Sequence, residues 1–118
     1  MNIEEVRQIC VVKKGVTEGF PFDDTTLVIK VGGKVFALLS LEGNPWLNLK
    51  CDPERAVDLR ERYEDITPGY HMNKKHWNTI RLEGNLPDSL VEELIEHSYQ
   101  LIYQSLPRKA KDEVDSYE

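Results

Sequence analysis

The polar, aromatic and cationic side chains of this chain are most concentrated in residues 67–79, just before a predicted strand. A Pro-Gly pair opens this stretch with a turn, and Asn73 is placed to cap a short turn that carries two lysines. Backbone N–H groups and two ammonium charges would then face one ligand, which predicts a site for an anion such as phosphate. The candidate binding residues of the stretch are Tyr70, Asn73, Lys74, Lys75, His76 and Trp77.

The charge distribution favours the same chemistry. Residues 66–82 contain no Asp or Glu, although the chain carries 21 acidic and 15 basic side chains and a net charge of −6. Residues 1–85 hold 12 basic and 13 acidic side chains, whereas residues 86–118 hold 3 and 8. We therefore expect a local positive surface on a negative protein, and the overall charge argues against a protein that coats nucleic acid.

An ordinary structural interpretation of the same stretch stays open. Tyr70 and Trp77 would then pack in the core or at a sheet edge, His76 would be hydrogen-bonded, and the lysines would be solvated. The direction of Lys74 and Lys75 separates a DNA-binding ridge from a module that binds proteins or small ligands. A phosphate-binding ridge needs both lysines in solvent beside Arg81, whereas a pocket needs Asn73 and His76 turned inward against Trp77.

Catalytic and metal-binding patterns are absent from the sequence. His71 and His76 are five residues apart, which fits neither a helical nor a strand ligand pair, and no Cys or carboxylate stands beside them at metal spacing. No glycine-rich phosphate loop and no nucleophile elbow is present. We therefore expect no enzyme, no cofactor and no metal, and we expect Cys10 and Cys51 to be reduced, buried thiols.

Length and hydrophobicity indicate one domain. The chain has 118 residues, of which 40% are hydrophobic, and it has no apolar run near the roughly 20 residues that cross a bilayer. We expect a cytoplasmic protein with a single domain over residues 1–106 and a polar, flexible tail over residues 107–118. The predicted elements are a helix over residues 2–14, a hairpin over 25–41, a strand over 46–50, a helix from residue 52, a strand over 77–83 and a helix over 87–106.

This order predicts an α+β, two-layer sandwich in which helices cover one face of an antiparallel sheet, with the sequence α-β(3-4)-α-β(1-2)-α. The hairpin turns at Gly32-Gly33, a pair that permits the positive φ values of a two-residue turn. Both faces of the hairpin are mostly apolar. We expect one face to pack on the helices and a loop or a partner subunit to cover the other, so a homodimer is one candidate. The turn predicts three cross-strand pairs, which are Val31 with Lys34, Ile29 with Phe36 and Leu27 with Leu38.

Several of these stretches together resemble a known family. The run over residues 73–79, followed by Leu82, Gly84 and residues 86–89, is similar to the hallmark of the MmcQ/YjbR family of small bacterial proteins. Residues 31–37 resemble the central hairpin of that family, and residues 47–54 resemble its passage from strand to helix. The resemblance spans residues 1 to about 106, in order and without large gaps.

Membership of this family implies a two-layer fold similar to the CyaY-like and secretion-chaperone-like architecture. It also implies DNA binding through a proposed double-wing arrangement. DNA phosphates would then contact Lys74, Lys75 and Arg81, with Lys34 or Lys50 reaching from the hairpin loops. Trp46, Tyr70 and Trp77 would stack on unpaired bases and favour single strands. The alternative is a module that binds proteins or small anions and has no nucleic-acid role.

Overall fold

The computed structural model describes residues 1–69 and 72–117, and the statements on structure below refer to these residues. The sheet has six strands in the order β1-β2-β3-β4-β6-β5, and all neighbouring strands are antiparallel. The elements in chain order are α1 (Ile3–Val11), β1 (Val16–Gly19), β2 (Thr26–Val31), β3 (Lys34–Ser40), β4 (Trp46–Lys50), α2 (Pro53–Arg62), β5 (Ile66–Pro68), β6 (Trp77–Arg81), α3 (Asp88–Ser105) and α4 (Arg108–Asp115).

The predicted α+β architecture is confirmed. All four described helices contribute side chains to one core cluster against one face of the sheet, and none of them lies on the other face. The core side chains of the central strands include Leu27, Ile29, Leu39, Leu47 and Leu49. No described helix is both long enough and apolar enough to cross a membrane.

Local signals in the sequence start the first two helices as expected. Asn2 and Glu5 form a capping box at α1, in which Glu5 N–H donates to Asn2 Oδ1 at 2.8 Å and Asn2 N–H donates to Glu5 Oε1 at 3.2 Å. Asp52 caps α2, and Pro53 occupies the first turn. The prediction for α1 was too long, because the helix ends at Val11 and the chain turns through Gly15, at φ +71°, into an unpredicted strand β1.

The predicted hairpin register is correct only next to the turn. Val31 pairs with Lys34, but a bulge after Ile29 shifts the pairing so that Ile29 lies opposite Ala37 and Leu27 opposite Leu39. The predicted pairs of Ile29 with Phe36 and of Leu27 with Leu38 are therefore wrong. The extra residue lets the adjacent Phe36 and Ala37 both join the core, and Leu38 faces the opposite side.

Helix α3 is fixed to this bulge by a buried hydroxyl. Ser98 Oγ donates to the Phe36 carbonyl at 2.6 Å and accepts from Lys50 N–H at 2.9 Å, and Ser98 is fully buried. The Tyr99 ring packs edge-on against Phe36, with centroids 5.4 Å apart. A single turn of α3 thereby sets the positions of β3 and of the end of β4. On α2, the apolar side chain of Val57 is exposed.

The C-terminal segment differs from the predicted flexible tail. Residues 107–118 contain helix α4, whose Val114 is buried in the core cluster. A Cβ atom at Gly15 would lie only 2.8 Å from Val114 Cγ2, so the close approach requires glycine there. Tyr103 Oη donates to Asp115 Oδ1 at 2.6 Å. Val114 is a single buried apolar residue among charged neighbours, so the polar composition of the segment did not indicate it.

Candidate functional site

The face of the sheet without helices, here called the open face, carries the candidate site. Strand alternation and register place one row of side chains across it, formed by Val28, Leu38, Asn48, Thr79 and Thr67. Val28 and Leu38 are buried although they lie outside the helix-packed core cluster. The apolar part of this face is therefore largely shielded within one chain.

The strands carry positive charge. Of the acidic residues, only Glu18 lies within a described strand, and its Oε1 accepts from Arg7 Nε of α1 at 2.8 Å. This pairing raises the pKa of Arg7, chiefly through the hydrogen bond to Glu18. The basic residues of the strands are Lys30, Lys34, Lys50 and Arg81.

Five lysines gather at one end of the sheet, here called the lysine end. Because neighbouring strands are antiparallel, the end of β2, the start of β3, the end of β4 and the turn before β6 all meet there. Alternation places Lys30 and Lys50 on the open face and Lys34 at the hairpin tip. The lysines of this end are Lys30, Lys34, Lys50, Lys74 and Lys75.

The turn over residues 73–76 forms as the sequence predicts. Asn73 Oδ1 accepts from Lys75 N–H at 2.9 Å, and the Asn73 carbonyl accepts from His76 N–H at 3.1 Å and Trp77 N–H at 2.9 Å. Lys74 and Lys75 are exposed. The capping role predicted for Asn73 is confirmed, and its carboxamide is used for the turn itself.

Two contacts hold this turn against the rest of the molecule. Arg60 Nη1 of α2 donates to the Lys74 carbonyl at 3.0 Å and to Asn78 Oδ1 at 3.1 Å. The His76 carbonyl accepts from Cys51 N–H at 2.7 Å, just after the end of β4. Lys50 and Trp77 are direct cross-strand partners, so the turn is fixed beside the open face.

The aromatic residues of the site are less accessible than the sequence suggested. Trp77 is only 7% exposed, so its ring packs in the sheet and is not a free platform for a base. Trp46 is half-buried at the other end of β4. Tyr70 and His71 lie outside the described residues. Of the predicted stacking residues, Trp77 thus follows the packing interpretation.

Arg81 does not join the lysines, contrary to the predicted ridge. It ends β6 four residues beyond Trp77, which corresponds to about 13 Å along a strand. It lines a groove of about 780 Å³ together with Glu64, Asp65 and Glu83, and its Nη1 lies 3.9 Å from Asp65 Oδ1. Acidic neighbours therefore offset its charge.

One buried polar group at the centre of the open face has no partner. Asn48 is fully buried, and its Oδ1 accepts a short hydrogen bond from Thr79 Oγ1, whereas its Nδ2 is the one described buried side-chain polar atom without a hydrogen bond. An unpaired buried donor costs about 1–3 kcal/mol. The position marks the change from the apolar half of the row, Val28 and Leu38, to its polar half, Thr79 and Thr67.

The thiols and His97 take no part in the candidate site. Cys10 and Cys51 are free and buried, as predicted. Burial raises the pKa of Cys10 to about 12 and also raises the pKa of Cys51. His97 Nε2 accepts from Asp52 N–H at 3.2 Å, and burial followed by the Arg55 charge lowers the pKa of His97. Among residues 1–69 and 72–117, no group of three His, Cys, Asp or Glu side chains could hold a metal ion.

Lys30 and the exposed rings of Phe20 and Phe22 in the β1–β2 loop were not predicted as site residues. Lys30 lies on the open face because it alternates with Val28 along β2. The alternation of Thr26, Val28 and Lys30 was the available signal. Strand β2, which follows Phe20 and Phe22, was predicted, whereas strand β1, which precedes them, was not predicted.

The fold is that of a small α+β protein with one helix-free sheet face. The YjbR family model matches residues 12–101, and the chain belongs to this family. The uncharacterized protein YjbR of Escherichia coli (strain K12) is 38% identical over 112 residues, which cover 94% of this chain and 95% of that protein.

Two solved structures are similar. The crystal structure of Deinococcus radiodurans protein DR2400, with the family-model domain DUF419, has a TM-score of 0.90 and 38% identity, covering 97% of this chain and 88% of that one. A protein from Pseudomonas syringae has a TM-score of 0.76 and 30% identity, covering 86% and 99%. The fold is thus shared along almost the whole chain.

Proposed function

We propose that this protein binds nucleic acid through the lysine end of its open face. The observation that carries the proposal is the separation of charge within the fold. Three of the four basic residues of the described strands, Lys30, Lys34 and Lys50, lie at the lysine end. The one acidic residue of the described strands, Glu18, is paired with Arg7 on the helix side. A polyanion would therefore meet attraction at the lysine end of the open face.

The charge of the helical layer also favours an approach of nucleic acid to the open face. Twelve of the 21 acidic residues lie within the four helices, and the acidic excess of residues 86–118 belongs to α3 and α4. A phosphate backbone that approached this layer would be repelled, so the field of the whole molecule would turn the open face toward it. A net negative charge is thus compatible with a local binding surface.

The mode of binding follows from the side chains available. Lysine ammonium groups contact phosphates as point charges and position a strand without reading its sequence. Five such contacts would give a logarithmic salt slope no steeper than about −3.5 for single strands. We therefore propose weak, salt-sensitive binding by a cytoplasmic, non-enzymatic protein. The homodimer expected through the same face stays a prediction, and it would compete with this binding.

The test compares two double variants that remove equal charge. Fluorescence anisotropy with short labelled single- and double-stranded DNA would be measured at about 50 and 200 mM salt. Lys30→Ala with Lys50→Ala should weaken binding about tenfold at the lower concentration. The control is Arg62→Ala with Arg108→Ala, because both guanidinium groups are exposed and paired within their own helices. Equal losses in the two variants would overturn the proposal.

A second candidate, a site for small anions only, is favoured by the turn over residues 73–76. Asn73 organises this turn so that two exposed lysines stand next to each other. Inorganic phosphate is the probe, titrated against the labelled protein followed by amide NMR. Saturable phosphate shifts in this turn without any oligonucleotide binding would select this candidate over the first.

A further inference from the structure

We infer that a groove beside β1, here called the Phe20 groove, binds an unpaired base of a single-stranded nucleic acid. The inference rests on the proposed function and adds to it the form of the ligand and a second contact. The groove has a volume of about 340 Å³ and runs along β1 and β2 on the open face, from Lys30 to the β1–β2 loop at the opposite end of these strands from the lysine end. Its lining includes Thr17, Gly19, Phe20, Pro21, Val28 and Lys30.

The loop that forms one wall holds two phenyl rings in solvent. Phe20 is 47% exposed and Phe22 is 77% exposed, whereas Phe36, the third phenylalanine, is fully buried. Pro21 lies between the two exposed rings and restricts the backbone. Exposed aromatic side chains next to each other are unusual on a free surface and are typical of binding sites.

Both ends of this loop are fixed. Gly19 pairs with Val28 at the end of β1, and Asp23 Oδ1 accepts from Thr25 N–H at 3.0 Å and from Thr26 N–H at 2.7 Å at the start of β2. These two backbone bonds, led by the one from Thr25, lower the pKa of Asp23. The rings are therefore presented by an anchored loop, which reduces the conformational entropy lost when a ligand binds.

The rest of the groove suits the two parts of a nucleotide. Val28 gives it an apolar floor, and Phe20 and Pro21 give it an apolar wall for the flat face of a base. Lys30, which pairs with Thr17 across the strands, adds an ammonium group for a phosphate. The one acidic residue that lines the groove is Glu18, and its carboxylate is held by Arg7.

A paired base cannot use this groove, because its faces are covered by its neighbours in the duplex. An unpaired base can stack on a ring, and such stacking contributes regardless of base identity. A lysine and an aromatic ring along the same groove, here Lys30 and Phe20, are the two kinds of contact that hold single strands without sequence preference. Single-stranded DNA is therefore the expected ligand form.

The test measures the contribution of the Phe20 ring to affinity separately from that of the lysine charges. Affinities for a short oligothymidine and for a duplex of equal length would be measured by anisotropy at low salt. Phe20→Ala should weaken binding of the single strand about tenfold and change binding of the duplex less than twofold. Phe20→Leu should behave like Phe20→Ala, since it keeps bulk but loses the ring, and Phe20→Tyr should bind like the wild type. Tyr117→Ala is the matched control, because Tyr117 is an exposed aromatic residue on the helical side, after α4.

The outcomes distinguish this inference from the function on which it rests. If Lys30→Ala with Lys50→Ala loses binding and Phe20→Ala binds the single strand like the wild type, the base site is refuted and the lysine end stands. If neither DNA form binds the wild type at low salt, the proposed function fails first. If Phe20→Ala instead converts a dimer into a monomer in sedimentation experiments, the groove belongs to a second copy of the chain and the inference is overturned.

Discussion

Lys50 of β4 and Trp77 of β6 are direct cross-strand neighbours on the open face. Trp77 is 7% exposed, whereas Lys50, the last residue of β4, is half-buried. The pair joins the predicted hallmark stretch to the rest of the lysine end. It also explains why a tryptophan that the sequence offers for stacking has a structural role.

Lys50→Ala should therefore separate binding from folding. The substitution removes a charge and no buried hydrogen bond of the side chain, so the free energy of unfolding should change by less than about 0.5 kcal/mol. The salt slope of single-stranded DNA binding should become shallower by about 0.7. Urea unfolding and anisotropy over a salt series measure the two quantities, and an unchanged slope would remove Lys50 from the site.

The turn over residues 73–76 makes a related prediction. Lys74→Ala with Lys75→Ala should weaken DNA binding to a similar extent for different sequences and should reduce the salt slope by about 1.4 for single strands. Both side chains are exposed, and the turn is held through the Asn73 carboxamide and backbone groups. Anisotropy with several sequences checks this. A loss confined to one sequence would point to base recognition and against phosphate contacts.

Ser98 provides a test of the packing that positions Lys50. Ser98→Ala would leave the Phe36 carbonyl and the Lys50 N–H without their buried partner. We expect the free energy of unfolding to fall by about 1–3 kcal/mol. The control is Ser105→Ala, because the Ser105 hydroxyl bonds only within its own helix, to the Ile102 carbonyl, and a change within about 0.5 kcal/mol is expected. If chemical denaturation shows equal losses of unfolding free energy for the two variants, the anchoring role of Ser98 is contradicted.

Helix α4 should contribute to stability, in contrast to the tail expected from composition. Val114→Ala should lower the free energy of unfolding by about 2 kcal/mol, because Val114 is buried against Gly15. Val12→Ala is the control, since Val12 is 69% exposed. If thermal and urea unfolding show no difference between the two variants, α4 is not part of the cooperative fold.

His97 predicts a pH dependence with a defined sign. Its pKa is lower in the folded protein than the ordinary 6.5, so the unfolded chain binds the proton more readily. The contribution of neutral His97 to stability is therefore present above pH 6.5 and is lost as the pH falls through the lowered value. His97→Gln should remove this part of the pH dependence measured by urea unfolding between about pH 5 and 8. An unaltered profile would show that other groups cause it.

Local chemistry in the sequence was enough to predict much of the fold. The capping box at Asn2, the Asp52-Pro53 start of α2 and the Gly32-Gly33 turn depend on neighbours within a few residues, and the two helices and the hairpin turn begin where they were predicted. The bulge after Ile29 could not be predicted, because it is set by the packing of Phe36 against α3. Such tertiary contacts override local pattern.

The candidate site was predicted in part for the same reason. Lys74 and Lys75 are adjacent in sequence, so their shared turn was visible. The separation of Arg81 from them depends on strand length and on Asp65, which is distant in sequence. Lys30 joins the site only through the order and register of the strands. Neither the separation of Arg81 nor the position of Lys30 can be derived from spacing along the chain.

The most direct test of nucleic-acid binding at the open face is an amide NMR titration with a short single-stranded DNA at low salt, repeated at about 200 mM salt. The predicted result is a set of shifts at Lys30, Lys50 and the turn over residues 73–76, extending to Phe20, that diminishes at the higher salt. Amides of α3 and α4 should not shift. Shifts centred on the acidic helices, or no shifts at low salt, would contradict the account.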